Sequence, residues 1–325
     1  MIINFLIIIQ GKMKPFLTLT IENTTYCSAN CVMCPREQIT FEKGNMPQKL
    51  FMKSIKEVQE FYRKNNNEIK YLDFGGMGEP LLDPELKLKM KWMKDNYPAT
   101  KINLTTNAQL LKQKSDILCE YVDVLKISNY GFSKASFESI HRGSLIYEEV
   151  KHNLEEFLNI PLEKRPKVIM SFLMLEQNQG EEWDWLEFWK SKCEEIYIWK
   201  PHNWAGAMGG LHNLNYAESR SCGRPGNDFA IRANGDVSIC CWDFNRELSI
   251  GNISEMSFED IYYGEKLRKI REMHDNRAFC KSGTICEVCD QIFDRHDALV
   301  YSSKEDFVVG EITTNQAYKD SNQAY

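Results

Sequence analysis

Three cysteines stand within eight residues, Cys27, Cys31 and Cys34 in CSANCVMC, and six more crowd the last third of the chain: Cys222, Cys240, Cys241, Cys280, Cys286 and Cys289. Thiolates are soft ligands suited to zinc or to iron-sulfur clusters. The first group has no histidine beside it, whereas a structural zinc takes four protein ligands. Three thiolates leave one iron of a four-iron cluster with an open position. The later group is large enough to close a site by itself.

A different chemistry is written in DFGGMGEPLLDP, residues 73–84. Gly75, Gly76 and Gly78 permit close approach of the backbone to a ligand, and Glu79 or adjacent carbonyls can accept hydrogen bonds from an ammonium group. Other polar residues fall at or near the ends of apolar runs: Asn107 after KINLTT, Ser128 and Tyr130 around VDVLKIS, Arg142 in IHRG and His202 in WKPHNW. An arginine grips a carboxylate or phosphate in bidentate fashion, and a histidine serves as acid or base. Each also has an ordinary reading as a turn cap, packing group or satisfied polar residue. The tryptophans of EEWDWLEFWK recur at helical spacing and read as core.

These residues need a scaffold that brings them together. From Leu17 to Lys200 short apolar runs (FLTLTI, EIKYLDF, KINLTT, VDVLKIS, KVIMSFLML, EIYIWK) alternate with stretches of helical period, among them PQKLFMKSIKEVQEFYRK and LIYEEVKHNLEEFL. Pro47 and Pro84 suit first helical turns, with Asp83 as a cap. Strands separated by helices imply a parallel α/β sheet with right-handed crossovers, open or curled into part of a barrel. In such sheets the ligand lies at the carboxyl ends of the strands, where most of these polar residues fall. After residue 214 the alternation stops. FAIRANGDVSICC reads as a β-hairpin turning at Asn234-Gly235, followed by one helix, a unit over 215–300 small enough to need a metal staple.

The ends of the chain read differently. MIINFLIII is apolar for only nine residues, too short to span a bilayer and without the charged start of a signal peptide, so residues 1–13 are expected to be a leader or an upstream start. The tail, 301–325, is polar and repeats NQAY. A net charge of −6 over 325 residues leaves no basic field for nucleic acid, and nothing suggests a membrane partner. Eleven cysteines in so long a chain fit metal clusters in a reducing cytoplasm better than a disulfide framework.

With the motifs in this order, the chain resembles the radical S-adenosylmethionine superfamily over residues 17–290, and its last third resembles that family's SPASM or shorter Twitch auxiliary-cluster domain. The resemblance implies a partial (βα)6 TIM-like barrel over 14–214 with the auxiliary domain at its open end. It implies two [4Fe-4S] clusters: one on Cys27, Cys31 and Cys34 with S-adenosylmethionine on the fourth iron, one on Cys222, Cys240, Cys286 and Cys289. Cys280 as a ligand, and a structural zinc in the later group, stay open. The resemblance assigns the methionine amino group to the GGMGEP loop, the ribose and carboxylate to Asn107 and Ser128, with Arg142 a further candidate for the carboxylate.

Three departures matter. Met33 stands where relatives usually carry an aromatic residue against the adenine, Met77 alters the spacing of the glycine motif, and Ser128-Asn129-Tyr130-Gly131 lacks the aspartate base of some relatives. The implied chemistry is reductive cleavage of the cofactor and hydrogen abstraction from a substrate C–H, in an oxidoreductase or epimerase. The expected substrate is a sugar, aminocyclitol or nucleotide sugar, and the reductant a flavodoxin or ferredoxin. A peptide epimerised with Cys241 as hydrogen donor, or cross-linked, is the second reading; Tyr130 and His202 are further catalytic candidates. A zinc-stapled binding protein is the rival of another class.

Overall fold

The structure is a computed structural model that describes residues 18–209, 215–293 and 298–304. The expected leader and the NQAY repeats fall outside the described residues. Six strands, β1 (Thr18–Ile21), β2 (Tyr71–Phe74), β3 (Lys101–Thr106), β4 (Val124–Ser128), β5 (Lys167–Leu173) and β6 (Glu195–Trp199), pair parallel in chain order, as where Ile21 meets Phe74 and Ser128 meets Ser171. Helices α1 (Gln48–Lys64), α2 (Leu86–Asn96), α3 (Leu111–Tyr121), α4 (Lys134–Ile140), α5 (Tyr147–Leu158) and α6 (Glu182–Trp189) fill the crossovers. This is the expected α/β sheet, an open barrel of six parallel strands.

Each crossover helix is there because its apolar residues recur every three or four positions. In α1, Phe51, Ile55, Val58 and Tyr62 form one stripe and are all buried, which removes water from a whole helix face. In α6 the same spacing buries Trp185 and Trp189 but leaves Trp183 about half exposed, so only two of those three tryptophans are core. Asp83 serves the start of α2 and the core at once. Its Oδ1 accepts the Glu85 backbone N–H at 2.9 Å, as a cap would. Its Oδ2 is buried against Lys89 at 2.6 Å and Asn23 at 3.0 Å, a counter-charge that a buried lysine needs.

The barrel stays open, since β1 and β6 do not pair among the described residues. Past α7 (Arg224–Asn227), β7 (Phe229–Ile231) joins β1 in parallel, and β8 (Asp236–Ser238) and β9 (Ser249–Asn252) continue outward. The β7–β8 hairpin turns where expected, with Gly235 at a φ of +93° that suits glycine. Helices α8 (Phe258–Tyr262) and α9 (Glu265–Asp275) cover it, and β10 (Leu299–Ser302) runs antiparallel on β6. The cysteine-rich unit thus continues the barrel sheet through β7. A small second core of Cys240, Leu248, Phe279, Cys286 and Ile292 lies under its loops.

Candidate active site

A cavity of about 650 Å³ opens at the carboxyl ends of the parallel strands. Cys27, Cys31 and Cys34 line one side of it, on the loop that follows β1. That loop is clamped by backbone and side-chain bonds: Val32 N donates to Ile140 O, and Asn30 N to Ser144 Oγ. Burial and the neighbouring thiols push Cys31 up to about 12, and burial raises Cys27 and Cys34 as well, against the Arg36 guanidinium that acts in the opposite direction. Burial thus favours the protonated thiols, and holding the three as thiolates would take a nearby positive charge such as a metal centre. Arg36 itself donates to Thr25 O at 3.0 Å and brings a permanent positive charge to the triad.

The glycine-rich loop packs directly against this segment. A Cβ on Gly78 would come within 2.3 Å of Thr24 O, so only glycine fits, and one on Gly76, whose φ is +153°, would come within 2.7 Å of the Glu22 side chain. Gly76, Gly78 and Glu79 line the cavity; Gly75 lies just outside its lining. The Glu79 carboxylate is buried and accepts from Thr106 Oγ1, Asn107 N and Leu81 N at 2.8, 2.8 and 3.2 Å. Burial still carries it up to about 7. A cation beside a carboxylate raised by burial would favour its ionised form, which makes this a seat for positive charge.

Other expected residues arrive at the same wall. Asn107 lines the cavity and reaches back to Ser28 Oγ at 3.2 Å. Ser128 and Tyr130 line it too, and burial carries the Tyr130 phenol up to about 12, with the Ser128 hydroxyl beside it. Met33 lines it while its carbonyl takes the Trp204 indole N–H at 2.8 Å. His202 sits between Trp204 and Trp242, its ring tilted against both, with centroids 4.7 and 4.5 Å away.

Two expected residues are placed elsewhere. Arg142 pairs with Glu37 at 2.8 Å on the surface and is absent from the cavity lining; it lies just past α4 with a left-handed φ of +50°. Cys241 also stays out of the lining, its sulfur 3.2 Å from Arg224 Nη1, while the Arg224 guanidinium lies 4.0 Å over the Trp242 ring and itself lines the cavity.

The later cysteines separate into two kinds. Cys222, Cys240, Cys286 and Cys289 surround one small pocket, together with His274 and Trp242; burial raises the pKa of all four, and the Cys222 thiol adds to the rise at Cys240, Cys286 and Cys289. Cys280 is exposed and outside that pocket. Reciprocal bonds between Asn203 and Asp290 (Asn203 N to Oδ2 at 2.9 Å, Asp290 N to Oδ1 at 3.1 Å) hold Cys289 against the barrel. Among the described residues no three His, Cys, Asp or Glu close on one point as ligands of a single ion do. Both donor sets consist of thiols, the soft ligand type that iron-sulfur clusters take.

Several participants were not foreseen. Arg36 follows the third cysteine by two residues and was legible as a nearby charge; Lys126, paired with Asp73 at 3.1 Å inside the barrel, was visible as a charge within an apolar strand. Trp242, Arg224, His274 and Glu22 carried no spacing signal. Glu22, 1% exposed, accepts from Met77 N at 3.1 Å and pairs with Arg246 and Arg232 at 3.2 and 3.5 Å. Arg232 donates onward to Cys240 O at 2.7 Å. One buried carboxylate therefore joins the glycine-rich loop to the hairpin of the later cysteines.

Comparison with known proteins matches residues 21–188 to the Radical SAM superfamily and residues 222–290 to SPASM, an iron-sulfur cluster-binding domain. The S-adenosyl-L-methionine-dependent 2-deoxy-scyllo-inosamine dehydrogenase of Niallia circulans is 23% identical over 290 residues, 86% of this chain and 94% of its own. Among solved structures, BtrN in complex with AdoMet and 2-DOIA superposes with a TM-score of 0.57 at 20% identity, over 85% of this chain and 94% of that one. Streptococcus suis SuiB bound to precursor peptide SuiA gives 0.63 at 14% identity, over 85% and 70%. At these identities the structural likenesses speak for the fold.

Proposed function

Because the chain belongs to the radical S-adenosylmethionine superfamily, we propose that it takes a hydrogen atom from an unactivated C–H bond of a carbohydrate-like small molecule in this cavity. Membership brings S-adenosylmethionine and [4Fe-4S] clusters, one of them auxiliary. The observation that carries the reading is a single cavity lined by all three cysteines of the open set and, with them, Cys222 of the closed set.

The residues present fit these groups. Cys27, Cys31 and Cys34 would hold one cluster and leave an iron for the cofactor; Cys222, Cys240, Cys286 and Cys289 would hold the other. The chemistry supplied by the bound cofactor is homolysis of its sulfonium C–S bond and hydrogen abstraction by the carbon radical so formed. The chain's own part is positioning and exclusion of water. Glu79 offers an anionic seat for an ammonium group, with Thr106, Asn107 and Leu81 fixing its orientation. Asn107 and Ser128 would present amide and hydroxyl groups to the ribose and carboxylate.

For the substrate, Tyr197, Trp199, His202, Trp204 and Trp242 give the wall aromatic faces against which the C–H face of a sugar ring can pack. The volume lies in the range of small-molecule sites, and the cofactor takes part of it. The relative covered almost end to end is named for a dehydrogenation of an aminocyclitol, which supports a sugar, aminocyclitol or nucleotide sugar here. The peptide reading draws on the likeness to SuiB, but Cys241, its hydrogen donor, does not line the cavity. A flavodoxin or ferredoxin would supply the electron. No described helix is long and apolar enough to cross a membrane.

The test is anaerobic reconstitution followed by incubation with S-adenosylmethionine, a reductant and candidate sugars in D2O. About eight irons per chain, the sum of two four-iron clusters, and a product two mass units lighter support the reading. Solvent deuterium in an isomeric product would move it to epimerisation. A colourless two-zinc protein would sink it.

A further inference from the structure

The pocket of the later cysteines contains an imidazole that the ligand assignment does not use. His274, on α9, is 3% exposed and packs edge-on against Phe279 with centroids 4.9 Å apart. Its Nε2 lies 3.5 Å from Cys286 Sγ, and its Nδ1 lies 3.2 Å from Ser221 Oγ. Ser221 Oγ in turn accepts the backbone N–H of Gly223 at 3.2 Å. The ring is thus strung between the segment that carries Cys222 and the segment that carries Cys286, two of the four thiols around the pocket.

The direction of these bonds follows from what each atom can do. A cysteine sulfur that ligates iron has lost its proton and can only accept. Nε2 must then carry the imidazole hydrogen, which leaves Nδ1 as an acceptor. The Ser221 hydroxyl, 3.2 Å away, is a group that can donate to Nδ1. In the opposite tautomer the Nε2 lone pair would face the sulfur lone pairs in a buried site, which is repulsive and leaves a polar atom unpaired.

We propose that His274 donates an Nε2–H hydrogen bond to the Cys286 sulfur of the auxiliary cluster and so makes that cluster easier to reduce. The proposal rests on the reading of Cys222, Cys240, Cys286 and Cys289 as its ligands. A hydrogen bond to a ligating sulfur draws off negative charge and favours the reduced, more negative state. His274 is a positioning and tuning residue in this scheme. It touches neither substrate nor S-adenosylmethionine.

The experiment is a potentiometric titration, followed by electron paramagnetic resonance, of full-length enzyme carrying both clusters. The cluster whose signal changes on adding S-adenosylmethionine is the first one; the other is read. In His274→Leu the equilibrium constant for reducing the auxiliary cluster should fall about tenfold, 59 mV for one electron, with the first cluster unmoved. His274→Gln, whose amide N–H reaches the same sulfur, should stay within about threefold of the parent. In parent enzyme labelled with 15N-histidine, the reduced auxiliary cluster should show a weak nitrogen coupling, which decides the matter even where the leucine variant fails to load. An unchanged potential in His274→Leu, or no coupling, overturns the proposal. So does a strong coupling with loss of four irons in both variants, since the histidine is then itself a ligand. A parent that never exceeds four irons per chain refutes instead the ligand reading beneath it.

Discussion

Cys27, Cys31 and Cys34 come from one loop and stand partly exposed on the cavity wall, whereas Cys222, Cys240, Cys286 and Cys289 come from three separate stretches and the last three of them are buried. The first set is local in sequence, so little chain entropy is spent in gathering it, and it remains open to a small molecule. The second depends on the β7–β8 hairpin, the loop after α9 and the Asn203–Asp290 bonds all being in place. The contrast teaches that a site meant to exchange its occupant can be written in one loop, while a site meant to stay closed needs the whole fold around it.

Breaking each set separately tests that contrast most severely. Cys31→Ala is expected to abolish formation of 5′-deoxyadenosine and to drop the iron content from about eight to about four, with folding kept, since the loop is held by other bonds. Cys286→Ala should cost the same iron and also stability, because a buried nest of thiols is then left unfilled. Iron assay, product chromatography and thermal melts read the three quantities. Equal stability losses in both variants would break the comparison.

Glu22 is the link between the two regions. Glu22→Gln leaves Arg232 and Arg246 buried without their counter-charge and should destabilise the fold by about 3–5 kcal/mol, measured by denaturant unfolding. Both clusters should become more labile together. Loss confined to one would show that the link is mechanical and one-sided.

Glu79 gives a pH signature to the open side alone. Its carboxyl titrates at about 7 in the fold against an ordinary 4.5. Between those values the folded state keeps a proton that the unfolded chain has released, so stability falls as pH rises from about 4.5 to about 7 and levels off above. The change is on the order of 3 kcal/mol, and should be missing from Glu79→Gln in parallel melts of cluster-free protein. An ammonium group beside the carboxylate favours its ionised form, so affinity for S-adenosylmethionine should rise with pH through the same window.

The smallest effect is the sharpest for the closed set. Cys280 is exposed and outside the pocket, so Cys280→Ser should leave the iron content unchanged and stability within about 0.5 kcal/mol. A loss of four irons would redraw the auxiliary ligand set.

Much of this was legible without coordinates, and for local reasons. Cys-x3-Cys-x2-Cys and the glycine-rich loop are short segments whose chemistry is complete within a dozen residues, and the alternation of apolar runs with helical period dictates a parallel sheet wherever it occurs. The hairpin turn at Gly235 is likewise a local matter of backbone geometry. The tertiary structure decided everything that depends on convergence. It brought Cys222 to Cys286 and left Cys280 outside, turned Arg142 to the surface, drew Trp242 and Arg224 into the cavity, and buried Glu22 and His274 between segments roughly 50 to 220 residues apart. Spacing along a chain sets which side chains can meet within a loop or a helix face. Meetings across such distances are set by which strands pair and which faces pack, and those are properties of the whole sheet.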